Sequence, residues 1–261
     1  MMWNLAFISE EDFFLHVQET IQQYGEKLKP YDLKKFNSNI VDPIKLTFDK
    51  MVYHMSYEEI IRNEIFRQRD KANNNDIGYF HQSIFKYIKD CTVPSSGWDV
   101  IFSPKEGVDV PECGRVKTVY VEMKNKHNTM NSSASSKTYM KMQGQLLKDD
   151  DCACFLVEAI AKQSQNKTWQ VSVDGVRQKH KRIRRVSMDE FYSLVTGQRD
   201  AFYQMCMILP EVIEKVLSYS GRVAVPHDTV IEELNELAKT KQGSLVLALY
   251  MLGFGSYTGF A

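Results

Sequence analysis

Two acidic residues and a lysine stand where they could hold a metal ion and a water molecule together. Glu122-Met123-Lys124 closes the run VKTVYVEMK, and Asp99 sits upstream in GWDVIF. In an extended chain, side chains two apart emerge on the same face, so Glu122 and Lys124 converge. Carboxylate oxygens suit magnesium, which takes one or two of them and completes its shell with water and substrate oxygens. An ion held this way offsets charge on a phosphate and makes a bound water more nucleophilic. A lysine beside it can orient that water and offset developing negative charge. The chemistry these residues imply is hydrolysis of a phosphodiester.

The Asp/Glu-x-Lys pattern occurs twice in the chain. Asp32-Leu33-Lys34 lies in YDLKKF, which has no strand character, whereas Glu122-Met123-Lys124 follows a β-branched and aromatic run. For the partner acid two positions stay open. Asp99 is embedded in a short apolar segment, and Asp109 lies in VDVP, which also looks extended.

The elements that must position these residues read as follows. Ser9 with Asp12 marks a helix start, with the helix running to about residue 27. Ser56 and Glu59 form a capping box for a helix to about residue 71, which Asn73-Asn74-Asn75 is expected to break. A second helix is predicted over 76–89 and carries Gln82. Strands are predicted over 98–102, 116–123, 152–160 and 169–173, with a turn at Asp174-Gly175. Residues 103–114 and 128–137 read as loops, the second of them mobile, and 138–148 as a helix. Further helices are expected at about 188–196, 200–219, 228–240 and 243–252. The order predicts an α/β fold with a mixed central sheet flanked by helices and extra helices at both ends. One domain is expected over 1–261: N-terminal helices to 75, an α/β core over 76–175, then a basic segment and helices over 176–261.

Lys plus Arg and Asp plus Glu are 33 each, so the formal net charge is zero. Any nucleic-acid-binding face must therefore be local. Arg177, Lys179, Lys181, Arg182, Arg184 and Arg185 fall within nine residues and suit phosphate contact, or guanine readout by arginine. The polar segment Lys126-His127-Asn128-Thr129 abuts the Glu122–Lys124 pair and is a second candidate. The five cysteines are odd in number and contain no C-x-x-C, so free thiols in a reducing cytosol are expected. Neither a signal peptide nor an apolar run of membrane-spanning length is read.

An acid in a strand, a loop, a strand carrying E-x-K, then a helix and a further strand resemble the PD-(D/E)XK nuclease superfamily. The blocks IGYFHQSIFKYI, GWDVIF, VYVEMKNKHNTMNSSA and CFLVEAI resemble the SinI-type restriction endonucleases, which cut GGNCC- or GGWCC-like palindromes. The resemblance implies a restriction-endonuclease-like core and Mg2+ held by Asp99, Glu122 and the carbonyl of Met123, with Lys124 positioning the water. Gln82 stands where many such nucleases place a metal-directed Glu, and it cannot carry charge. Trp98 replaces the Pro of the superfamily name. The resemblance further implies a double-stranded DNA substrate, a homodimer matched to a palindrome, a cognate methyltransferase as functional partner and a prokaryotic cytoplasm. A structure-specific repair nuclease on the same core, or a non-catalytic DNA-binding protein, are the competing readings.

Overall fold

The computed structural model describes residues 3–27, 29–127, 129–221, 227–241 and 243–257. In chain order the helices are α1 Glu10–Lys27, α2 Leu33–Phe36, α3 Pro43–Tyr53, α4 Tyr57–Ser83, α5 Ser132–Lys148, α6 Met188–Thr196, α7 Ala201–Ser220, α8 Val230–Lys239 and α9 Leu245–Phe254. The strands are β1 Cys91–Thr92, β2 Val100–Phe102, β3 Val108–Val110, β4 Gly114–Val116, β5 Thr118–Lys126, β6 Cys152–Ile160, β7 Asn166–Val173 and β8 Val176–Ser187. The chain packs as two compact units. One holds the residues up to Ile21 with Asp76–Gly221; the other holds Gln22–Asn75 and the residues after Gly221.

The first unit is built on a six-stranded sheet in the order β1-β2-β5-β6-β8-β7. β2 runs antiparallel to β5, β6 lies parallel to both β5 and β8, and β7 closes the edge as an antiparallel hairpin with β8. A parallel neighbour requires a crossover, and α5 supplies it between β5 and β6. The central strand β6 is buried from Cys152 to Glu158, as a strand covered on both faces should be. One face of the sheet packs Val119, Val121, Phe155 and Val157 with Phe85, Phe191 and Tyr192. The other packs Cys154, Leu156, Trp169 and Ile183 against Tyr139, Met142 and Leu146 of α5. The β7–β8 turn uses Asp174 (φ 50°) and Gly175 (φ 79°), the left-handed pair that a tight two-residue hairpin demands. All five cysteines are free thiols. No helix among the described residues is long and apolar enough to cross a membrane.

The mixed sheet with flanking helices is the predicted fold, and the C-terminal helices fall where the pattern put them. Four local expectations give way. The 73–75 asparagines do not break the helix: α4 runs through them, and Asn74 Nδ2 donates back to the carbonyl (3.0 Å) and carboxylate (2.9 Å) of Asp70. The expected 103–114 loop contains the start of an inserted hairpin, β3–β4, which forms its own two-stranded sheet. Most of the expected mobile loop at 128–137 is the first part of α5, because the Asn131 side-chain oxygen Oδ1 accepts from Ala134 N at 2.8 Å and caps it. The E-x-K segment lies in the body of β5 rather than at its end, since β6 pairs with β5 as far as Lys126.

The second unit is helical. Phe36, Leu46, Ile60, Ile61, Ile65, Leu234 and Leu249 form its core. The capping box holds, with Ser56 N donating to Glu59 Oε2 (2.8 Å) and Glu59 N to Ser56 Oγ (3.2 Å). Arg69 and Asp228 are paired at 2.6 Å, which ties α4 to the segment before α8. Helix α3 was not foreseen; Pro43 at its first turn and the Asp42 cap are the start signals the sequence reading passed over.

Candidate active site

The first unit brings Asp99, Glu122 and Lys124 together at the β2–β5 pair. Register explains the meeting. Val100 pairs with Val121, so Asp99 stands one step outside β2, opposite the E-x-K segment. Its backbone is pinned there: Asp99 N donates to Val121 O at 3.0 Å, and Gln82 Nε2 donates to Asp99 O at 3.2 Å. Asp99 Oδ2 accepts a hydrogen bond from Met123 N at 2.6 Å. Glu122 and Lys124, two apart on β5, share a face, and Lys124 Nζ donates to Glu122 Oε1 at 2.8 Å.

A second cation completes the cluster. Lys141 of α5 donates to Glu122 Oε2 at 2.7 Å, donates to Gly97 O, and lies 4.2 Å from the centre of the Trp98 ring. Both oxygens of Glu122 are thus met by ammonium groups. The two acids are electrostatically unequal. Burial pushes the Asp99 carboxyl above the usual range, the Met123 amide opposes this, and the Glu122 charge adds to it. Burial also works against ionised Glu122, but the two lysines overcome it and hold that carboxyl below the usual range.

The donor set fits a hard divalent cation. Asp99 lies within electrostatic reach of Glu122 and both lysines, and the charge of Glu122 is balanced by ammonium groups that an ion could replace. Among the described residues no group of three or more His, Cys, Asp and Glu could hold a metal ion, so an ion here would rest on two carboxylates with water and substrate oxygens. Asp109, the alternative acid, lies on the β3–β4 hairpin, is 78% exposed and faces Arg115 at 3.9 Å. It is not brought to Glu122.

Beside Lys124 on the next strand lies a third carboxylate. Lys124 pairs with Glu158 across the β5–β6 ladder, and Glu158 is only 2% exposed. Arg185 bonds to Glu158 Oε1, while His127 Nδ1 lies 3.2 Å and Gln165 Nε2 3.4 Å from Oε2. Burial opposes its charge, yet Arg185 and His127 keep the carboxyl below its usual range. A small, partly open cavity of about 40 Å³ is lined by Lys124, Thr129, Glu158 and Arg185 among others.

The basic segment is the strand β8, and alternation sorts its charges. Arg177, Lys179 and Lys181 are exposed. Arg182 is half-buried and donates to backbone carbonyls of Asp150 and Cys152. Arg184 has no exposed surface; it is held by the Asn166 side chain, by Asn166 O (2.6 Å) and by Lys181 O (3.2 Å). Arg184 is therefore not presented to a ligand, and Arg185 is engaged by Glu158. Lys126 and Thr129 are exposed, His127 joins the Glu158 network, and Asn128 lies outside the described residues. Sequence reasoning missed Lys141 and Glu158. Glu158 left a signal, one acid inside the wholly apolar run CFLVEAI, where a buried charge must find a partner. Lys141 left none, because only the α5 crossover carries it back to β5.

A sheet of this topology, with a carboxylate pair and lysine at the β2–β5 junction, defines a restriction-endonuclease-like fold. Comparison with known proteins carries this further. The Eco47II restriction endonuclease family matches residues 5–218. The type II restriction enzyme Sau96I of Staphylococcus aureus is 31% identical over 218 residues, covering 80% of each chain. The type II restriction enzyme Eco47II of Escherichia coli is 29% identical over 223 residues, 82% of this chain and 88% of its own. This chain belongs to the Eco47II restriction endonuclease family; it is a type II restriction enzyme and cleaves DNA in a sequence-specific way.

Proposed function

We propose that this enzyme hydrolyses double-stranded DNA in a Mg2+-dependent reaction at Asp99, Glu122 and Lys124, within a short G/C-rich palindrome of the GGNCC kind. The observation that carries the assignment is the meeting of Asp99, Glu122 and Lys124, from β5 and the start of β2, around one hydrogen-bonded cluster. Asp99 and Glu122, with the carbonyl of Met123, would hold the ion, which supplies charge neutralisation at the scissile phosphate and an acidified water. The chain's own residues do the rest. The Met123 amide fixes the Asp99 carboxylate, and Gln82 fixes the Asp99 backbone. The neutral Gln82 amide acts here as a clamp. Lys124 directs its ammonium at the same spot as the carboxylates, where it can orient the attacking water.

Phosphate contact falls to the exposed charges Lys126, Arg177, Lys179 and Lys181, with Thr129 at the loop after β5. A palindromic target calls for two-fold symmetry, so the active form is a homodimer with one site per strand. A cognate methyltransferase would protect host DNA as a functional partner. The free thiols support a reducing prokaryotic cytoplasm as the place of action. The experiment is digestion of a sequenced DNA with and without EDTA, followed by sequencing of the ends. Discrete fragments ending within GGNCC-like sites are expected. Fragments that mark another sequence would overturn the proposed specificity, and EDTA-resistant cutting would overturn the metal.

A further inference from the structure

Lys141 occupies a position that the carboxylate pair and the E-x-K lysine do not account for. It comes from α5, outside the strands that carry Asp99, Glu122 and Lys124. Its ammonium takes Glu122 Oε2 at 2.7 Å, the oxygen that Lys124 leaves. The same ammonium bonds to Gly97 O and lies over the Trp98 ring at 4.2 Å, so it links Glu122 to the turn that leads into Asp99. Lysine is a point charge on a flexible stem, able to swing away without unfolding anything. The side chain is 37% exposed, which leaves it room to do so.

We infer that Lys141 is the resident counter-cation of this site: it holds Glu122 and the Gly97–Trp98 turn in place in the metal-free protein, and it competes with the divalent ion for Glu122. Two opposite charges in contact near a protein surface attract substantially, while a dication and an ammonium on one carboxylate oxygen repel. An ion that takes Glu122 Oε2 must displace Lys141 from it. The lysine thereby sets how tightly the site takes metal before DNA arrives. It is a positioning residue, acting through Glu122, and the inference rests on the proposed metal site.

The test is Mn2+ binding to the DNA-free full-length protein, followed by calorimetry and by electron paramagnetic resonance of the free ion. Lys141→Gln should bind Mn2+ about tenfold more tightly than the parent, equivalent to ~1.4 kcal/mol. Lys141→Arg, which keeps the charge, should stay near the parent. Trp98 emission should change on Mn2+ binding in the parent, and Trp98→Phe should remove that change. A Lys141→Gln protein that melts like the parent but binds Mn2+ equally or more weakly would overturn the inference. Glu122→Gln separates this from the underlying reading: if parental Mn2+ binding survives Glu122→Gln, the metal-site assignment itself fails.

Discussion

Arg185→Met should destabilise the enzyme through Glu158 rather than through DNA. Glu158 is 2% exposed and Arg185 20% exposed, so the pair sits in a setting where removing one partner strands a charge. Breaking a buried pair from one side costs about 3–5 kcal/mol. His127 at 3.2 Å and Gln165 at 3.4 Å remain beside Glu158, which places the expected loss toward the lower end, about 3 kcal/mol. Removing the charge as well, in Glu158→Gln with Arg185→Met, should recover at least half of that loss. The pH dependence follows from the same physics. In the parent Arg185 keeps the Glu158 carboxyl low, so its contribution is present above the unfolded carboxylate pKa and is lost as pH falls through the depressed folded value. In the variant burial acts with less opposition and pushes that pKa up, so the penalty is greatest near neutral pH and fades as acid neutralises Glu158. Urea unfolding at several pH values measures both. A penalty below about 1 kcal/mol, or a double variant as unstable as the two single losses summed, would refute the reasoning.

Lys124→Ala should reduce cleavage about 10³-fold while changing unfolding free energy by no more than ~1 kcal/mol, because Glu122 keeps Lys141; single-turnover kinetics and urea unfolding check the two halves. His16, 2% exposed, has its pKa pushed down to about 4 by burial, and its Nε2 donates to Phe80 O at 3.0 Å. The unfolded chain binds that proton near the ordinary histidine value, so stability falls as pH drops from ~6.5 toward that low folded pKa, by up to ~3 kcal/mol. His16→Gln should lessen the slope in that window, where buried His81, also pushed down to about 4, still contributes, and an unchanged slope would show that His16 contributes none of it.

Much of the site was legible because period-two alternation is a local property. Glu122 and Lys124 had to share a face once VYVEMK was extended, and the apolar run CFLVEAI could only be a buried strand. What escaped depends on distance along the chain. Asp109 stayed a rival to the preferred Asp99 until pairing placed Asp99 beside Met123 and Asp109 on a separate hairpin with Arg115. Lys141 reaches Glu122 only through the α5 crossover. The basic run at 177–185 read as one patch, but only the end of β8 is paired on both sides: Lys179, beside β7 alone, emerges into solvent, while Arg184, between β6 and β7, turns into the interior. The polar stretch at 128–137 looked like a loop because serine and asparagine favour turns, whereas here Asn131 spends that preference on capping a helix.

The most direct test compares Asp99→Asn with Asp109→Asn in Mg2+-dependent cleavage of one plasmid. The account predicts that Asp99→Asn binds DNA but cuts it at least ~10²-fold more slowly, while Asp109→Asn cuts like the parent. Full cleavage by Asp99→Asn, or its loss in Asp109→Asn, would contradict the assignment of the site.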